Sequence, residues 1–162
     1  MRWILKMRNI SDIIEGYLKQ VLEMGGEGHI EIKRSEIADK FQCVPSQINY
    51  VINTRFTAER GYLVESKRGG GGYIRILRVR PNSQIDLIDE ILYQIDGEVS
   101  QTKAEDLVYR LIDEQVISKR EAKLMLAAVD RSTLELQLPL RDTIRAKIMR
   151  AMLTTIKYER HK

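Results

Sequence analysis

The sequence predicts a mainly α fold with one small β-hairpin, in which a mixed N-terminal domain precedes an all-helical one. Three observations predict it. Apolar residues recur at helical spacing through most of the chain. A run of four glycines, Gly69, Gly70, Gly71 and Gly72, stands between two short strand-like segments. Pro81-Asn82-Ser83 then separates two halves of different charge. From Met1 to Arg80 there are 14 Lys or Arg against 9 Asp or Glu, and the remainder has 13 against 14. The formal net charge of +4 therefore belongs to the first half. The predicted domains are residues 9–80 and 83–162.

Within the first half, Ser11 is suited to cap a helix, with Ile10 just outside it. Ile13, Ile14, Tyr17, Leu18, Val21 and Leu22 follow at helical spacing, and Gly25-Gly26 ends the run. His29 to Ile32 alternates, as a short strand does. Ser35 is suited to cap a second helix through Phe41, with Ile37, Ala38 and Phe41 facing inward. After a short QCVP connection, Pro45 pre-sets the start of a third helix, which Ile48, Val51 and Ile52 anchor to the core. Tyr62 to Lys67 and Tyr73 to Val79 form the arms of a hairpin. Helix, helix, turn, helix and hairpin is the order of a winged helix-turn-helix.

The third helix carries unusual exposed chemistry. Ser46, Gln47, Asn49, Tyr50, Asn53 and Arg55 lie mostly away from its core side. Amides, hydroxyls and a guanidinium hydrogen-bond to base edges and phosphates. Several of them are poor helix formers, so propensity does not account for their choice. The competing reading is a merely polar surface helix. The hairpin tip adds Lys67 and Arg68 beside Gly69, Gly70, Gly71 and Gly72, and Arg75, Arg78 and Arg80 follow. Four glycines remove all side chains from the tip, so its backbone fits a narrow space. A minor groove strengthens the field felt by an inserted Arg. From Lys33 to Arg80 there are ten basic and four acidic residues. Together these elements predict a surface for double-stranded DNA. A hairpin with no ligand and RNA binding through the same fold are the competing readings. A nucleotide-binding P-loop is disfavoured, because no Lys-Ser or Lys-Thr follows the glycines.

The second half reads as helices. Ile85, Ile88, Ile91, Leu92 and Ile95 form one stripe, interrupted at Gly97. Thr102 is suited to cap the next helix, with Glu105 in capping-box position and Ala104, Leu107, Val108, Leu111 and Ile112 inward. Ser118 and Glu121 repeat the box before Ala122, Leu124, Met125, Ala128 and Val129. From about Pro139 to Tyr158, Leu140, Ile144, Ile148, Met152 and Ile156 keep helical spacing, and Met149 and Leu153 extend the apolar surface to a second face. Four short helices are expected to be short of a core of their own. Pairing two chains would bury the remaining apolar surface, so a homodimer is expected, with a small monomeric bundle as the alternative.

Composition excludes several classes. Cys43 is the single cysteine, which rules out a disulfide within the chain and suits a reducing, cytoplasmic setting. It reads as a small buried residue rather than a redox sensor. No apolar run approaches a membrane span, and MRWILKM lacks the long apolar core of a signal peptide. His29 and His161 have no metal-ligand companions nearby in sequence. No nucleophile-and-base set can be assembled, and acidic pairs such as Asp113-Glu114 read as solvated faces. No enzyme, cofactor, metal site or catalytic residue is expected.

The run EIKRSEIADKFQCVPSQINYVINTRFTAERGYLVESKRGGGGYIRI resembles the signature region of the class three stress gene repressor family (CtsR) of Gram-positive bacteria. NISDIIEGYLKQVLEM and ISKREAKLMLAAVDR fit the same family, and the resemblance extends from about Asn9 to Ile156. The residues before Asn9 depart from it. The resemblance implies a dimeric repressor that binds a heptanucleotide tandem repeat in promoters of Clp protease and chaperone genes. It places the recognition helix around Ser46 to Arg55 and the wing at Lys67 to Tyr73. It also implies release by heat through the glycine-rich wing, control by a protein arginine kinase with its activator, and turnover by a Clp protease. Arg68 matches the family position where arginine phosphorylation disrupts DNA binding. Repression rather than activation rests on this resemblance. A protein-interaction adaptor, or an architectural DNA-binding protein without sequence preference, remains the alternative.

Overall fold

Asn9, not Ser11, caps the first helix. In the computed structural model, which describes residues 9–66 and 72–160, α1 spans Ile10–Met24. Asn9 Oδ1 accepts from the Asp12 N–H at 2.9 Å, and the Asp12 carboxylate accepts from the Asn9 N–H at 3.3 Å. Three residues after Ser11 stands Ile14, which has no group to return such a bond, so the reciprocal box forms only one cap earlier. Ser11 is instead buried in the first turn.

β1 (His29–Lys33) runs directly into α2 (Arg34–Lys40), whose N-cap Lys33 makes no side-chain capping bond. The expected cap at Ser35 is therefore not used, because the strand delivers the chain into the helix before Ser35 is reached. The turn after α2 places Gln42 at a φ of 52° and brings the Cys43 N–H to the Ala38 carbonyl at 2.9 Å. α3 (Pro45–Arg55) starts with Pro45 in its first turn, as expected. β2 (Tyr62–Ser66) and β3 (Tyr73–Arg78) complete an antiparallel sheet of order β1-β3-β2. The register sets Ile30 beside Ile76 and Ile32 beside Ile74. All four are buried with Leu18 of α1, Ile37 of α2 and Ile48 and Val51 of α3. Phe56 packs edge-on against Tyr62 with ring centroids 4.9 Å apart. Cys43 is half-buried against this core.

The chain divides into two units, one ending at Arg80 and the other beginning at Pro81. The second contains α4 (Gln84–Gln94), α5 (Gln101–Asp113), α6 (Lys119–Val129), the single turn α7 (Arg131–Leu134) and α8 (Leu140–Arg160). Ser83 caps α4, and Ser118 with Glu121 forms the expected box on α6. α5 is capped by Ser100 rather than Thr102, so it starts two residues earlier than the sequence pattern indicates.

This unit is not short of a core. Asp106 through Arg110 and Leu111 are buried in succession on α5, which marks it as a helix enclosed on all sides. An amphipathic count of one stripe per helix underestimates the surface such a central helix buries. On α8 the faces are exchanged relative to expectation. Met149 and Leu153 are fully buried, whereas Ile144, Ile148, Met152 and Ile156 are half-buried. Ile148, Met152 and Ile156 pack against the edge of the same core, and spacing alone does not say which of two adjacent apolar stripes lies deepest in it. Arg145 is fully buried beside the inner stripe. It donates to the carbonyls of Val129 at 2.9 Å and Val99 at 3.2 Å and to Asp142 at 2.6 Å. Among the described residues, no helix is long and apolar enough to cross a membrane.

Candidate nucleic-acid interface

α3 divides cleanly between support and display. Ile48, Val51 and Ile52 are buried, and they fix the helix because burying each such side chain stabilises by about 1.5–3 kcal/mol. On the opposite side Ser46, Asn49, Tyr50 and Asn53 are exposed, Tyr50 to 47%. An exposed run of one hydroxyl, two amides and one phenol supplies both donors and acceptors.

The other two candidate residues of this helix are engaged inside the unit. Gln47 Nε2 donates to Ser11 Oγ at 2.7 Å. Arg55 Nη1 donates to Asp12 at 2.9 Å and to Glu15 at 3.0 Å. Burial opposes the Arg55 charge, but the Glu15 and Asp12 carboxylates outweigh it and raise its pKa above the ordinary value. Both side chains thereby lock α3 to α1.

Gly72, at the inner end of the glycine run, is exposed and adopts a φ of 83°, a conformation side chains other than glycine's rarely take. The remaining wing candidates, Lys67, Arg68, Gly69, Gly70 and Gly71, lie outside the described residues.

The basic residues along β3 do not all add to a DNA-facing field. Arg75 faces Glu31 and Glu65 across the sheet register, with Glu65 at 4.0 Å. Arg78 and Arg80 both reach Glu23 of α1 at 3.1 Å. Arg60 lies 3.6 Å from Glu15. A charge count along the sequence treats these arginines as one patch, whereas the fold pairs them with carboxylates from other elements.

Arg34 carries no individual mark in the sequence, yet the fold sets it between α3 and the base of the hairpin. Its Nε donates to Asn49 Oδ1, Nη1 to the Gly72 carbonyl at 3.4 Å and Nη2 to Ser66 Oγ at 3.4 Å. Beside it, the Lys33 ammonium stands 5.6 Å from the Tyr73 ring centroid. The signal available in the sequence was the Lys33-Arg34 pair immediately before the helix-turn-helix. Among the described residues, no group of three or more His, Cys, Asp or Glu side chains is arranged to hold a metal ion.

Two helices at a tight turn, a second helix with an outward polar face and an adjoining hairpin define a winged helix-turn-helix protein. The family description "CtsR N-terminal HTH domain" matches residues 9–80, and "CtsR C-terminal dimerization domain" matches residues 83–154. The chain is 64% identical over 153 residues to the transcriptional regulator CtsR of Geobacillus stearothermophilus, covering 94% of this chain and 100% of that one. It is 62% identical to the Bacillus subtilis (strain 168) protein of the same name, over 92% of this chain and 97% of that one. A crystal structure of CtsR in complex with a 26bp DNA duplex matches with a TM-score of 0.80 at 65% identity, over 93% of this chain and 99% of that chain. This chain belongs to the CtsR family, the class three stress gene repressors.

Proposed function

We propose that this chain is a dimeric, sequence-specific DNA-binding repressor of clp protease and chaperone genes. The observation that carries the reading is the outward face of α3, where Ser46, Asn49, Tyr50 and Asn53 are exposed over a buried apolar footing. Residues 9–80 form the DNA-reading domain, and residues 83–162 form the dimerisation and regulatory domain. Ser46, Gln47, Asn49, Tyr50, Asn53 and Arg55 make up the recognition helix, with Gln47 and Arg55 also holding it in place. Lys67, Arg68, Gly69, Gly70, Gly71 and Gly72 make up the wing, in which the two cations approach phosphates or the minor groove.

Pairing of two chains is supported by the stripe Ile144, Ile148, Met152 and Ile156 on α8, which stays half-exposed even though Ile148, Met152 and Ile156 pack against the edge of the unit's own core, and whose remaining surface a second chain would cover. A two-fold dimer doubles the contacts and matches a repeated site, here the heptad tandem repeat. Release on warming follows from the glycine run, since ordering each glycine costs about 1 kcal/mol or more in backbone entropy. Phosphorylation of Arg68 by a protein arginine kinase with its activator replaces a cation with an anion beside the DNA phosphates. Turnover by a Clp protease completes the regulatory reading drawn from the family resemblance.

The test is binding to a labelled heptad-repeat duplex against a scrambled duplex, across salt and between about 25 and 50 °C. A preference of about 10³-fold or more for the repeat is expected, with affinity falling as salt rises. Reversible loss of that preference on warming, with the dimer intact, is the expected thermal behaviour. Equal affinity for the two duplexes would leave an architectural DNA-binding protein. No salt-dependent binding to either would leave a protein-interaction adaptor.

A further inference from the structure

We propose that Arg34 is a positioning residue that holds Asn49 as a hydrogen-bond donor toward DNA and ties that orientation to the base of the wing. The inference rests on the DNA-reading function proposed for α3.

The geometry begins with the guanidinium. Arg34 opens α2, and its three nitrogens reach three elements: Asn49 Oδ1 on α3, Ser66 Oγ at the end of β2, and the Gly72 carbonyl just before β3. A planar fork with donors in fixed directions sets its acceptors relative to one another, which a lysine ammonium on a flexible stem does not do. Ser66 and Gly72 are the last and first described residues on either side of the wing tip. One side chain thus connects the reading helix to both roots of the hairpin.

The consequence for Asn49 is directional. A side-chain amide presents an acceptor at one end and two donors at the other. With Oδ1 turned to Arg34, the amide nitrogen of the exposed Asn49 is the group directed away from the protein network. An adenine read in the bidentate manner needs the amide oxygen as well as the nitrogen. Asn49 held by Arg34 instead favours acceptors: guanine N7 or O6, thymine O4, or a phosphate oxygen. Arg34 therefore restricts which base edge Asn49 donates to, and it acts through Asn49.

The experiment compares wild type, Arg34→Lys, Arg34→Ala, Asn49→Ala and the Arg34→Lys/Asn49→Ala double variant. Each is measured against the heptad-repeat duplex, its single-base-pair substitutions and a scrambled duplex, across salt. Thermal unfolding is followed in parallel. Arg34→Lys keeps the charge and the fold, so the slope of log affinity against log salt is expected to stay at the wild-type value. Preference for the repeat is expected to fall by about tenfold or more, concentrated at one or two base pairs, which is the scale of one lost specific contact. In the Asn49→Ala background, Arg34→Lys is expected to add nothing at those base pairs.

Arg34→Lys binding with wild-type preference overturns the inference while leaving the function standing. So does an equal loss on the repeat and scrambled duplexes, with Arg34→Ala lowering the salt slope by about 0.9, because that is the behaviour of a plain phosphate contact. If the wild-type chain itself has no preference for the repeat, the proposed function fails and this inference with it.

Discussion

Arg55 Nη1 lies 2.9 Å from Asp12 Oδ1, which fastens the last turn of α3 to the first turn of α1. The same nitrogen is 3.0 Å from Glu15, and Glu15 also holds Lys19 at 2.8 Å. Asp12 in turn closes the capping box with Asn9. A cation in the last turn of a helix is additionally favoured by the helix dipole. The orientation of the reading helix is therefore set in part by charge, in the same last turn that carries the exposed amide of Asn53.

Arg55→Ala is expected to lower folding stability by about 1–3 kcal/mol, because it leaves two largely buried carboxylate contacts unmade. Arg55→Lys is expected to recover part of this. Urea denaturation measures both. Since the Arg55 pKa is raised, its contribution is complete at any pH below the arginine range and is lost only as pH rises through that raised value. The difference between variant and wild type should therefore be flat between about pH 6 and 9. A variant as stable as the wild type that binds DNA poorly would make Arg55 a direct contact instead.

Arg145→Met tests the buried centre of the second unit. The change strands the carbonyls of Val99 and Val129 and leaves Asp142 without its 2.6 Å partner. A loss of about 3 kcal/mol or more is expected, as for removal of one member of a buried pair. An unchanged denaturation midpoint would mean that the carbonyls find other donors.

Asp130 should contribute an acid-sensitive element to the same unit. Its carboxylate accepts from the Ser132 hydroxyl at 2.6 Å and the Ser132 N–H at 2.9 Å, and these bonds lower its pKa below the ordinary 3.8. A depressed acid stabilises the fold above its unfolded pKa and loses that effect as pH falls through the folded value. Asp130→Asn is expected to diminish the loss of stability below about pH 4 relative to wild type. Thermal midpoints taken down to about pH 2.5 would read it, and parallel curves for the two proteins would contradict it.

Tyr50→Ala and Asn53→Ala remove exposed groups and should leave stability within about 0.5 kcal/mol of wild type. Each is nonetheless expected to reduce preference for the heptad repeat by about tenfold. Ile48→Ala should instead unfold the unit by about 2–5 kcal/mol, because Ile48 is fully buried. Paired measurements of melting and duplex preference separate these cases. Unchanged preference in both surface variants would move the reading surface off α3.

Met152→Glu places a charge in the half-buried stripe of α8, at a side chain that also packs against the edge of the core, so thermal unfolding is followed beside it. Sedimentation equilibrium is expected to report dissociation toward monomer, with helical content retained. A variant that stays dimeric at low micromolar concentration would put the pairing surface elsewhere.

The order of the longer elements, the buried face of α3 and the family are legible in the amino-acid sequence, whereas the single turn α7 is not. Periodic apolar residues such as Ile48, Val51 and Ile52 encode these features locally, and the polar helix followed by a basic glycine run is a distinctive combination. Caps were less legible: Asn9, Ser11, Ser100 and Thr102 are all chemically able, and reciprocity settles the first pair only, since Asp12 returns a bond to Asn9 whereas Lys103 returns none to Ser100. Folding set which of two apolar stripes on α8 lies deepest in the core and how completely α5 is enclosed. It also decided that Arg75, Arg78 and Arg80 would meet Glu65 and Glu23, and that Arg34 would meet Asn49. Those outcomes depend on distances between residues far apart in the chain, and a charge or an amide carries no local mark of the partner that folding brings to it.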